Sequence, residues 1–448
     1  MKLKTKNEMS HYDKMTQTPL VKLIVSLGIP TTISMLVTSI YNMADTYFVG
    51  TLGESQQGAT GILFTLQAII QAIAFMLGQG SGTMVSKAQA DQNDEEASEY
   101  VSTGFYTALA LGVILMVGGL LFLEPFMRLL GSTETILPYA KQYGASVLLS
   151  CPMVMGSFVL NNNLRYEGKA FFSMLGLVSG GLLNIFGDYL LVVVFPFGVL
   201  GAGISTAVSQ TISFVILLYF YRKRALSKIR ISSISRKIQV YATICKVGFP
   251  ALVRQGLTSI SNGLLNNLTR PYGDAAIAAM SVVNRFSAFV MCVGLGVGQG
   301  YQPVASFNYQ AKKLDRVKKG LLITMGISFC FVACLAIPGF IFAEQIVWAF
   351  QKSEAVVEIG VFALRCACVG TLFLPLSVPV NMLYQSTRQV KASTLLSMLR
   401  SGLMFIPTLI ITTTLWNITG IQISQPLADI LTGIASIPFI IAFLRRKE

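Results

Sequence analysis

Charge is scarce in this sequence. Only 12% of the 448 residues are Asp, Glu, Lys or Arg, whereas average soluble domains carry roughly twice that share. Apolar runs of about 20 residues, the length that crosses a bilayer as a helix, recur along the whole chain. The sequence therefore excludes an ordinary soluble domain and predicts an all-α integral membrane protein.

Residues for enzyme chemistry are scarce as well. The one histidine, His11, lies in the polar opening segment, so histidine-based catalysis, haem and zinc have no support. The seven cysteines are odd in number and lack metal-ligand spacing, so we expect them to be reduced. The DDxxD motif that a membrane prenyltransferase needs is absent. We therefore predict a protein that is not an enzyme and that uses no cofactor.

Nucleotide-binding loops are also missing. The glycine runs 78-GQGSG-82 and 294-GLGVGQG-300 lie on apolar helices and are not followed by the GK[ST] of a phosphate-binding loop. Such runs are typical of close helix packing or local unwinding. Transport driven by ATP is therefore disfavoured.

Positive charge is abundant, but it lies in short segments between the apolar runs. The net charge is +14, yet no basic patch interleaved with aromatic residues is present, so no nucleic-acid partner is expected. The amino terminus, the even-numbered loops and the carboxyl terminus hold 26 of the 34 Lys and Arg residues, and the odd-numbered loops and their edges hold four. By the positive-inside rule, both termini are expected in the cytoplasm.

Twelve transmembrane helices are predicted from the apolar runs. They cover about 20–47, 57–81, 99–123, 138–160, 171–194, 201–221, 241–268, 276–301, 320–342, 359–384, 392–416 and 421–444. The apolar run that follows residues 1–19 has no small-residue cleavage site, so residues 1–19 are expected to be a cytoplasmic tail rather than a signal peptide.

The chain repeats itself at a fixed spacing. Matching residues lie 220 positions apart, without a gap, over the first two predicted spans of each half. The pairs are Gly28 and Gly248, Pro30 and Pro250, 38-TSIYN-42 and 258-TSISN-262, Gly53 and Gly273, 78-GQG-80 and 298-GQG-300, and Ser86 and Ser306.

This repeat predicts the domain organisation. Residues 20–221 and 241–444 are expected to form two six-helix bundles, joined by a basic cytoplasmic linker at 222–240 and followed by a short cytoplasmic tail at 445–448. Because six is an even number, both copies cross the membrane in the same direction, and their symmetry axis runs along the membrane normal. Two bundles already enclose a complete cavity, so a monomer is expected.

Three acids fall well inside the predicted spans: Asp45, Asp188 and Asp429. Each costs roughly 2.5 kcal/mol or more in the bilayer unless it is compensated. Asn184 lies four residues before Asp188, on the same helical face. Counting 1.5 Å per residue from the outer helix ends allows these two residues to meet Asp45 and Thr206 in the outer half of the first bundle.

This set of four residues suits an ion-coupling site. Two carboxylates, an amide and a hydroxyl can share a proton or coordinate a hard cation such as sodium, and residue types do not distinguish the two. No metal other than sodium at Asp45, Asn184, Asp188 and Thr206 is expected.

The repeat supplies an internal control for these acids. At the spacing of 220, Asp45 corresponds to Leu265. Later in each half the spacing is 224, since 173-SML-175 matches 397-SML-399, and at that spacing Asn184 and Asp188 correspond to Thr408 and Thr412. A scaffold role would require the acids in both copies, so their presence in one copy favours a functional role. The alternative, an ordinary buried aspartate paired with an arginine, is preferred for Asp429.

Residues that line a substrate cavity are harder to identify. Polar or amphipathic side chains within spans serve either as cavity lining or as interhelical hydrogen-bond partners. The candidates for the cavity are Tyr41, Asn42, Gln67, Gln255, Asn262 and Arg285.

Taken in order, these motifs resemble those of the multidrug and toxic compound extrusion (MATE) family, over nearly the whole chain. The likeness rests on Pro30 and 42-NMADTYFVG-50, 78-GQG-80 with Ser86, 164-LRYEG-168, 181-GLLNIFGDYLL-191, 201-GAGISTAVS-209 and 425-QPLAD-429. Asp45, Asn184, Asp188 and Thr206 match the pattern of the bacterial DinF-like branch. The extra acids that the NorM-like branch carries in its second bundle are missing.

The resemblance implies two six-helix bundles arranged as a V in the plasma membrane of a bacterium, with the coupling site in the first bundle. It implies export of cationic or amphipathic drugs and metabolites in exchange for protons or sodium. A flippase for lipid-linked oligosaccharides, from the same superfamily, is the alternative. It would be expected to carry a cluster of cationic residues in its cavity. Arg254, Arg285, Arg365 and Arg400 leave this option open, although they do not cluster in sequence.

Overall fold

The structure, a computed structural model, describes residues 10–350 and 352–446, without the side chain of Glu54. The described residues are almost entirely helical. The first half comprises α1 (His11–Gln17), α2 (Leu20–Gly50), α3 (Glu54–Ala90), α4 (Asp94–Leu121), α5 (Leu123–Leu129), α6 (Leu137–Tyr166), α7 (Ala170–Asp188), continued by a π-helical turn (Tyr189–Val194), and α8 (Gly198–Arg224).

The second half repeats this order. It comprises α9 (Ile238–Thr269), α10 (Asp274–Gln310), α11 (Leu314–Ile341), α12 (Ala343–Phe350), α13 (Glu354–Thr371), α14 (Leu374–Ser386), α15 (Val390–Met398), continued by a π-helical turn (Leu399–Met404), and α16 (Phe405–Leu444).

These elements make twelve membrane spans. Nine helices of the described chain are each long and apolar enough to cross a bilayer. The pair α13 and α14 together form one further span, bent by 48°. The stretch 390–444 is two spans, since Asn417 breaks it with a φ of 52° and a ψ of −127°. The remaining span is α9, which carries the charges of Lys246 and Arg254 within its length.

Several predicted boundaries need correction. The second and eighth spans were expected at 57–81 and 276–301, but α3 and α10 are each 37 residues long and continue beyond the membrane. The tenth span was expected as one helix over 359–384, and it is broken between α13 and α14. Apolar runs show only the part of a helix that lies in lipid, which explains why the extensions were missed.

The amino-terminal segment is also more ordered than predicted. Within the described residues it is not a tail: α1 packs on the body of the protein, with Met15 fully buried. The imidazole of His11 stacks edge-on against Phe307 of α10, with ring centroids 5.4 Å apart. A side chain added at Gly168, in the first half, would touch both Met15 and His11. Helix α1 therefore bridges the two halves.

Both ends of the described part of the chain lie on one face, which we call the basic face. The amide of Asn308 donates to the main-chain oxygen of Met15 in α1, and Lys318 donates to the main-chain oxygen of Arg446. The linker segment, residues 225–237 between α8 and α9, lies on this face too. The predicted linker 222–240 is therefore shorter, because both flanking helices extend into it. Of the predicted tail 445–448, residues 447 and 448 lie outside the described part.

Close contacts between glycines join the two halves near the basic face. A Cβ atom added at Gly300 of α10 would lie 2.4 Å from the Cα of Gly28 of α2. A Cβ atom added at Gly248 of α9 would lie 1.8 Å from the main-chain oxygen of Met76 in α3. A Cβ atom added at Gly80 of α3 would lie 2.0 Å from the main-chain oxygen of Ile244 in α9. These contacts confirm the interpretation of 78-GQGSG-82 and 294-GLGVGQG-300 as packing motifs.

The two glycine contacts obey the internal repeat. Gly28 and Gly300 correspond to Gly248 and Gly80 at the spacing of 220, so the contact of α2 with α10 is the counterpart of the contact of α9 with α3. Each glycine lies about ten residues, or about 15 Å, from the end of its helix at the basic face. The two bundles are therefore closed against each other on this side of the membrane.

Candidate functional site

Four helices of the first bundle converge near the face opposite the basic face. They are α2, α6, α7 and α8, and small residues let them approach closely. A Cβ atom added at Gly187 of α7 would lie 2.5 Å from the hydroxyl of Ser205, and one at Gly203 of α8 would lie 3.3 Å from the Cα of Tyr143. The π-helical turn directly after Asp188 widens α7 at this level, a distortion that is frequent at functional sites.

A chain of hydrogen bonds links three of the predicted site residues. The hydroxyl of Tyr143 donates to Oδ2 of Asp45 at 2.7 Å and lies 3.3 Å from Oγ1 of Thr206. The amide nitrogen of Asn184 donates to the same Thr206 hydroxyl at 3.2 Å. The structure thus brings Asp45, Asn184 and Thr206 into one network, at the depth that the residue counting placed them.

The fourth predicted residue, Asp188, joins this group without a hydrogen bond. It is fully buried, lies beside Ser205, and is close enough to Asp45 for their charges to interact. The hydroxyl of Ser205 donates to the main-chain oxygen of Asn184 at 3.0 Å, so its proton is already engaged. Both carboxylate oxygens of Asp188 are left without a donor among the described residues.

Acceptor oxygens without partners are concentrated in this site. Besides the two oxygens of Asp188, Oδ1 of Asp45 and Oδ1 of Asn184 are buried and accept no hydrogen bond within the described chain. Leaving buried acceptors unsatisfied costs about 1–3 kcal/mol each. A proton on one carboxyl group, or a small cation among the oxygens, removes this cost, because each supplies the positive partner that the oxygens lack.

Two contributors to the site were missed by sequence reasoning. Tyr143 supplies the donor to Asp45, and Ser205 lies beside Asp188. Tyr143 is six residues from the start of α6 at Leu137, which corresponds to about 9 Å of depth. The depth argument that was applied to the carboxylates would have found it, had it also been applied to hydroxyl groups.

The predicted cavity residues fall into two groups. Tyr41 lies inside the first bundle: its ring packs against Gly181 of α7, and Gln210 donates to its hydroxyl at 3.4 Å. It therefore belongs to the surroundings of Asp45 rather than to the space between the bundles. The other five side chains make no hydrogen bond or ion pair among the described residues. These are Asn42, Gln67 and Gln255, which are half-buried, and Asn262 and Arg285, which are exposed.

Two helices of the second bundle expose polar side chains at bilayer depth. On α9, the stripe that includes Asn262 and Asn266 is exposed, and on α10 so are Ser281 and Arg285. A side chain added at Gly263 would meet nothing within 4 Å. Polar and charged side chains at this depth require water or a polar partner rather than lipid. That Asn262 and Arg285 line a substrate cavity stays a prediction, with which their exposure agrees.

Asp429 has a separate environment in the second bundle. Its Oδ1 accepts hydrogen bonds from Nε of Arg400 at 2.8 Å and from the amide of Gln425 at 3.0 Å. The acid is 3% exposed and the arginine side chain 20%. This is the paired arrangement that was preferred for Asp429, and it distinguishes this acid from the two in the first bundle.

Comparisons with known proteins agree with this architecture. The family model described as MatE matches the chain twice, over residues 30–190 and 250–411. The chain is 27% identical over 433 residues to the multidrug export protein MepA of Staphylococcus saprophyticus, covering 95% of this chain and 94% of that protein. A MepA protein of Staphylococcus aureus is also 27% identical, over 99% of this chain and 97% of its own length.

Solved structures share the fold. One is described as the outward-facing conformation of a multidrug resistance MATE family transporter of the MOP superfamily. It has a TM-score of 0.92 and 23% identity, and the match covers 98% of this chain and all of that chain. A MOP superfamily transporter from Pyrococcus furiosus matches with a TM-score of 0.89, also at 23% identity and with the same coverage. The likeness establishes the twelve-helix, two-bundle fold.

Proposed function

Because the chain belongs to the MatE family of membrane transporters, we propose that it is a secondary active multidrug efflux antiporter. It exports cationic or amphipathic organic compounds in exchange for protons or sodium, across the plasma membrane of a bacterium. The observation that carries this proposal is the cluster of four unpartnered acceptor oxygens from Asp45, Asn184 and Asp188, buried in one bundle. The curated relatives named above, which are multidrug export proteins, support the choice of substrate.

The orientation follows from the charge distribution. The face that holds the linker segment and both ends of the described chain is strongly basic, so the positive-inside rule puts it in the cytoplasm. The glycine contacts then close the cytoplasmic side, and the cavity opens to the outside. The site around Asp45 and Asp188 lies in the outer half of the membrane, where ions from outside reach it.

The site couples ion entry to solute export through its charge. Two carboxylates close together in a region of low dielectric rarely both remain charged without a cation or proton. An ion that binds from outside and leaves to the cytoplasm moves down a potential worth about 2.3 kcal/mol per 100 mV for each charge. The second bundle has leucine and threonine in place of the acids, so the coupling ion binds in the first bundle alone. One chain holds both bundles and works as a monomer.

The cavity between the bundles is the place for the exported compound. Asn42, Gln67, Gln255, Asn262 and Arg285 offer side chains that no protein group engages in the described chain. An oligosaccharide flippase is not favoured, because its cavity should concentrate basic residues. Here Arg400 bonds Asp429, Arg365 lies over Phe340, and Arg285 lies apart on α10. Two arginines, Arg254 and the fully buried Arg165, lie near each other, but each donates to a side-chain amide, of Asn381 and of Gln299 respectively.

Transport by carboxylate variants in membrane vesicles tests the proposal. We expect Asp45→Asn and Asp188→Asn to abolish ethidium or norfloxacin efflux while the protein stays folded in the membrane. Asp429→Asn is the matched control: it neutralises an acid outside the site but keeps an oxygen that can accept from Nε of Arg400, so it should keep ion-dependent efflux once efflux is normalised to the amount of folded protein. Driving efflux with a pH gradient in the absence of sodium separates proton from sodium coupling. Full efflux by both first-bundle variants would overturn the coupling role.

A further inference from the structure

The linker segment exposes basic and apolar side chains together. Between 222 and 237 the sequence has no acid, and the seven Lys and Arg residues there are exposed. Large apolar side chains are exposed among them: Leu226 by 41%, Ile231 by 73% and, at the start of α9, Ile238 by 78%. A loop that met only water would not be expected to present this combination.

Mobility does not explain this exposure, because the backbone of the segment is held from one side by a buried acid. The carboxylate of Glu167 accepts hydrogen bonds from the backbone N–H of Leu226 at 2.6 Å and of Ser227 at 3.1 Å, and another from the Ser227 hydroxyl. Glu167 itself is fully buried. The main chain at the start of the linker segment is therefore fixed to the first bundle.

Hydroxyl groups on the first turns of α4 hold the rest of the segment. Ser98 accepts from the N–H of Lys228 at 3.0 Å, and Ser102 accepts from that of Arg230 at 3.1 Å. Further along, Thr103 accepts from the N–H of Ser235 at 2.9 Å. With these main-chain groups satisfied on the protein side, the charged side chains and the exposed Leu226 and Ile231 are directed away from the protein, whereas Ile229 packs on the first bundle.

The linker segment lies at the lipid boundary of the first bundle. It crosses the beginning of α4. Among the nine helices that are long and apolar enough to span the membrane, α4 has the smallest share of buried residues in its apolar segment, 22%. A helix of such low burial faces lipid over most of its surface. The segment that is fixed to its end on the basic face therefore lies at the level of the lipid headgroups.

We propose that the linker segment is a docking surface for anionic phospholipids of the leaflet on the basic face. The Lys and Arg side chains bind headgroup phosphates, and Ile231 and Ile238 insert between the first acyl carbons, as in interfacial amphipathic segments. The apolar residues between the charges, and the lack of aromatic residues that could stack on bases, favour lipid over an acidic protein or a nucleic acid. This inference does not depend on what the protein transports.

Fluorescence quenching tests the insertion. Tryptophan is introduced by Ile238→Trp in a background in which Trp348 and Trp416 are replaced by Phe, and the protein is placed in vesicles with brominated lipids. Brominated phosphatidylglycerol should quench this tryptophan more strongly than brominated phosphatidylcholine at the same mole fraction. Equal quenching by both lipids, or none, would overturn the proposal.

Retention of lipid tests the charges. A triple variant carries Arg230→Gln, Arg236→Gln and Lys237→Gln. Its preference for phosphatidylglycerol over phosphatidylcholine, measured by native mass spectrometry, should fall at least about fivefold. That is the effect expected for one basic residue near an anionic surface. The control Lys312→Gln, Lys319→Gln and Lys391→Gln removes the same charge from exposed positions elsewhere on the basic face, and it should keep the preference. An equal fall of the lipid preference in both variants, or specific binding of a polynucleotide to the linker segment, would contradict the proposal that this segment docks anionic phospholipids.

Discussion

The hydroxyl of Tyr143 donates a 2.7 Å hydrogen bond to the carboxylate of Asp45 and lies 3.3 Å from the hydroxyl of Thr206. It thereby ties α6 to α2 and α8 at the depth of the proposed coupling site. Because Tyr143 is about 1% exposed, water cannot easily replace it. The tyrosine orients one oxygen of Asp45 and leaves the other free for a proton or a cation.

Tyr143→Phe should weaken coupled efflux about tenfold or more. The change removes the donor and leaves a buried carboxylate oxygen unsatisfied, which costs about 1–3 kcal/mol. Ion-driven ethidium efflux from vesicles measures the effect. Tyr139→Phe, one turn away, is the control, since the hydroxyl of Tyr139 has no hydrogen-bond partner in the part of the chain that the structure describes. Similar losses in both variants would mean that tyrosine packing, not the hydrogen bond, is responsible.

Gly248→Ala should disturb the closure at the basic face. The new Cβ atom would lie 1.8 Å from the main-chain oxygen of Met76, so α3 and α9 must separate, at a cost of about 1–3 kcal/mol or more. Spin labels at Gln92 and Gln239, in a cysteine-free background, should report a longer distance than in the parent protein. Gly256→Ala, on the same helix, is the control because nothing lies within 4 Å of its added Cβ. An unchanged distance in Gly248→Ala would argue against this contact as the closure.

The pair Arg400 and Asp429 should behave as a structural unit. Asp429→Leu leaves the arginine without its carboxylate and should destabilise the protein by about 3–5 kcal/mol. Combining it with Arg400→Met should restore much of the loss, because no unpaired charge then remains. Thermal unfolding in detergent, at one protein and lipid concentration, checks both. A double variant as unstable as the single one would show that the pair contributes more than mutual neutralisation.

Docking of α1 should weaken as the pH falls. The pKa of His11 is lowered from 6.5 to about 4, because burial disfavours the imidazolium and because Lys169 and Lys14 repel its proton. The undocked helix binds a proton below about pH 6.5, whereas the docked helix does not until about pH 4. The contribution of the neutral imidazole to the free energy of docking is therefore fully present above pH 6.5. It is lost as the pH falls from 6.5 to 4, by a total on the order of 3 kcal/mol.

Hydrogen exchange of the α1 amides, corrected for intrinsic rates, measures this loss between pH 7.5 and 5. His11→Phe keeps an aromatic ring against Phe307 and removes the titrating group, so its protection should not depend on pH in this range. The same pH dependence in the variant would assign the effect to another group.

Much of the architecture could be predicted from local sequence properties. Length and spacing of apolar runs predicted the spans, because a helix in lipid must be apolar over about 20 residues. The repeat at 220 residues predicted two equivalent halves, and the double match of the family model agrees with it. Counting residues from helix ends was enough to bring Asp45, Asn184 and Thr206 to one depth.

Other features depend on partners distant in sequence. The break between α13 and α14, and the packing of α1 against Phe307, have no signal in apolar periodicity. Tyr41 looked like a cavity residue because it is amphipathic, but Gly181 admits its ring into the first bundle.

The sequence by itself determined that this is a membrane protein of two equivalent bundles, since bilayer thickness and duplication leave direct traces in residue order. Only the tertiary structure decided which polar groups are satisfied. Asp429 has Arg400 beside it, whereas Asp188 has no donor within the described chain. The sequence favoured an arginine partner for Asp429 and a functional role for Asp188, but it could not name the partner or show that Asp188 lacks one. What separates them is the set of atoms that other helices bring within hydrogen-bond distance, and that set exists only in the folded chain.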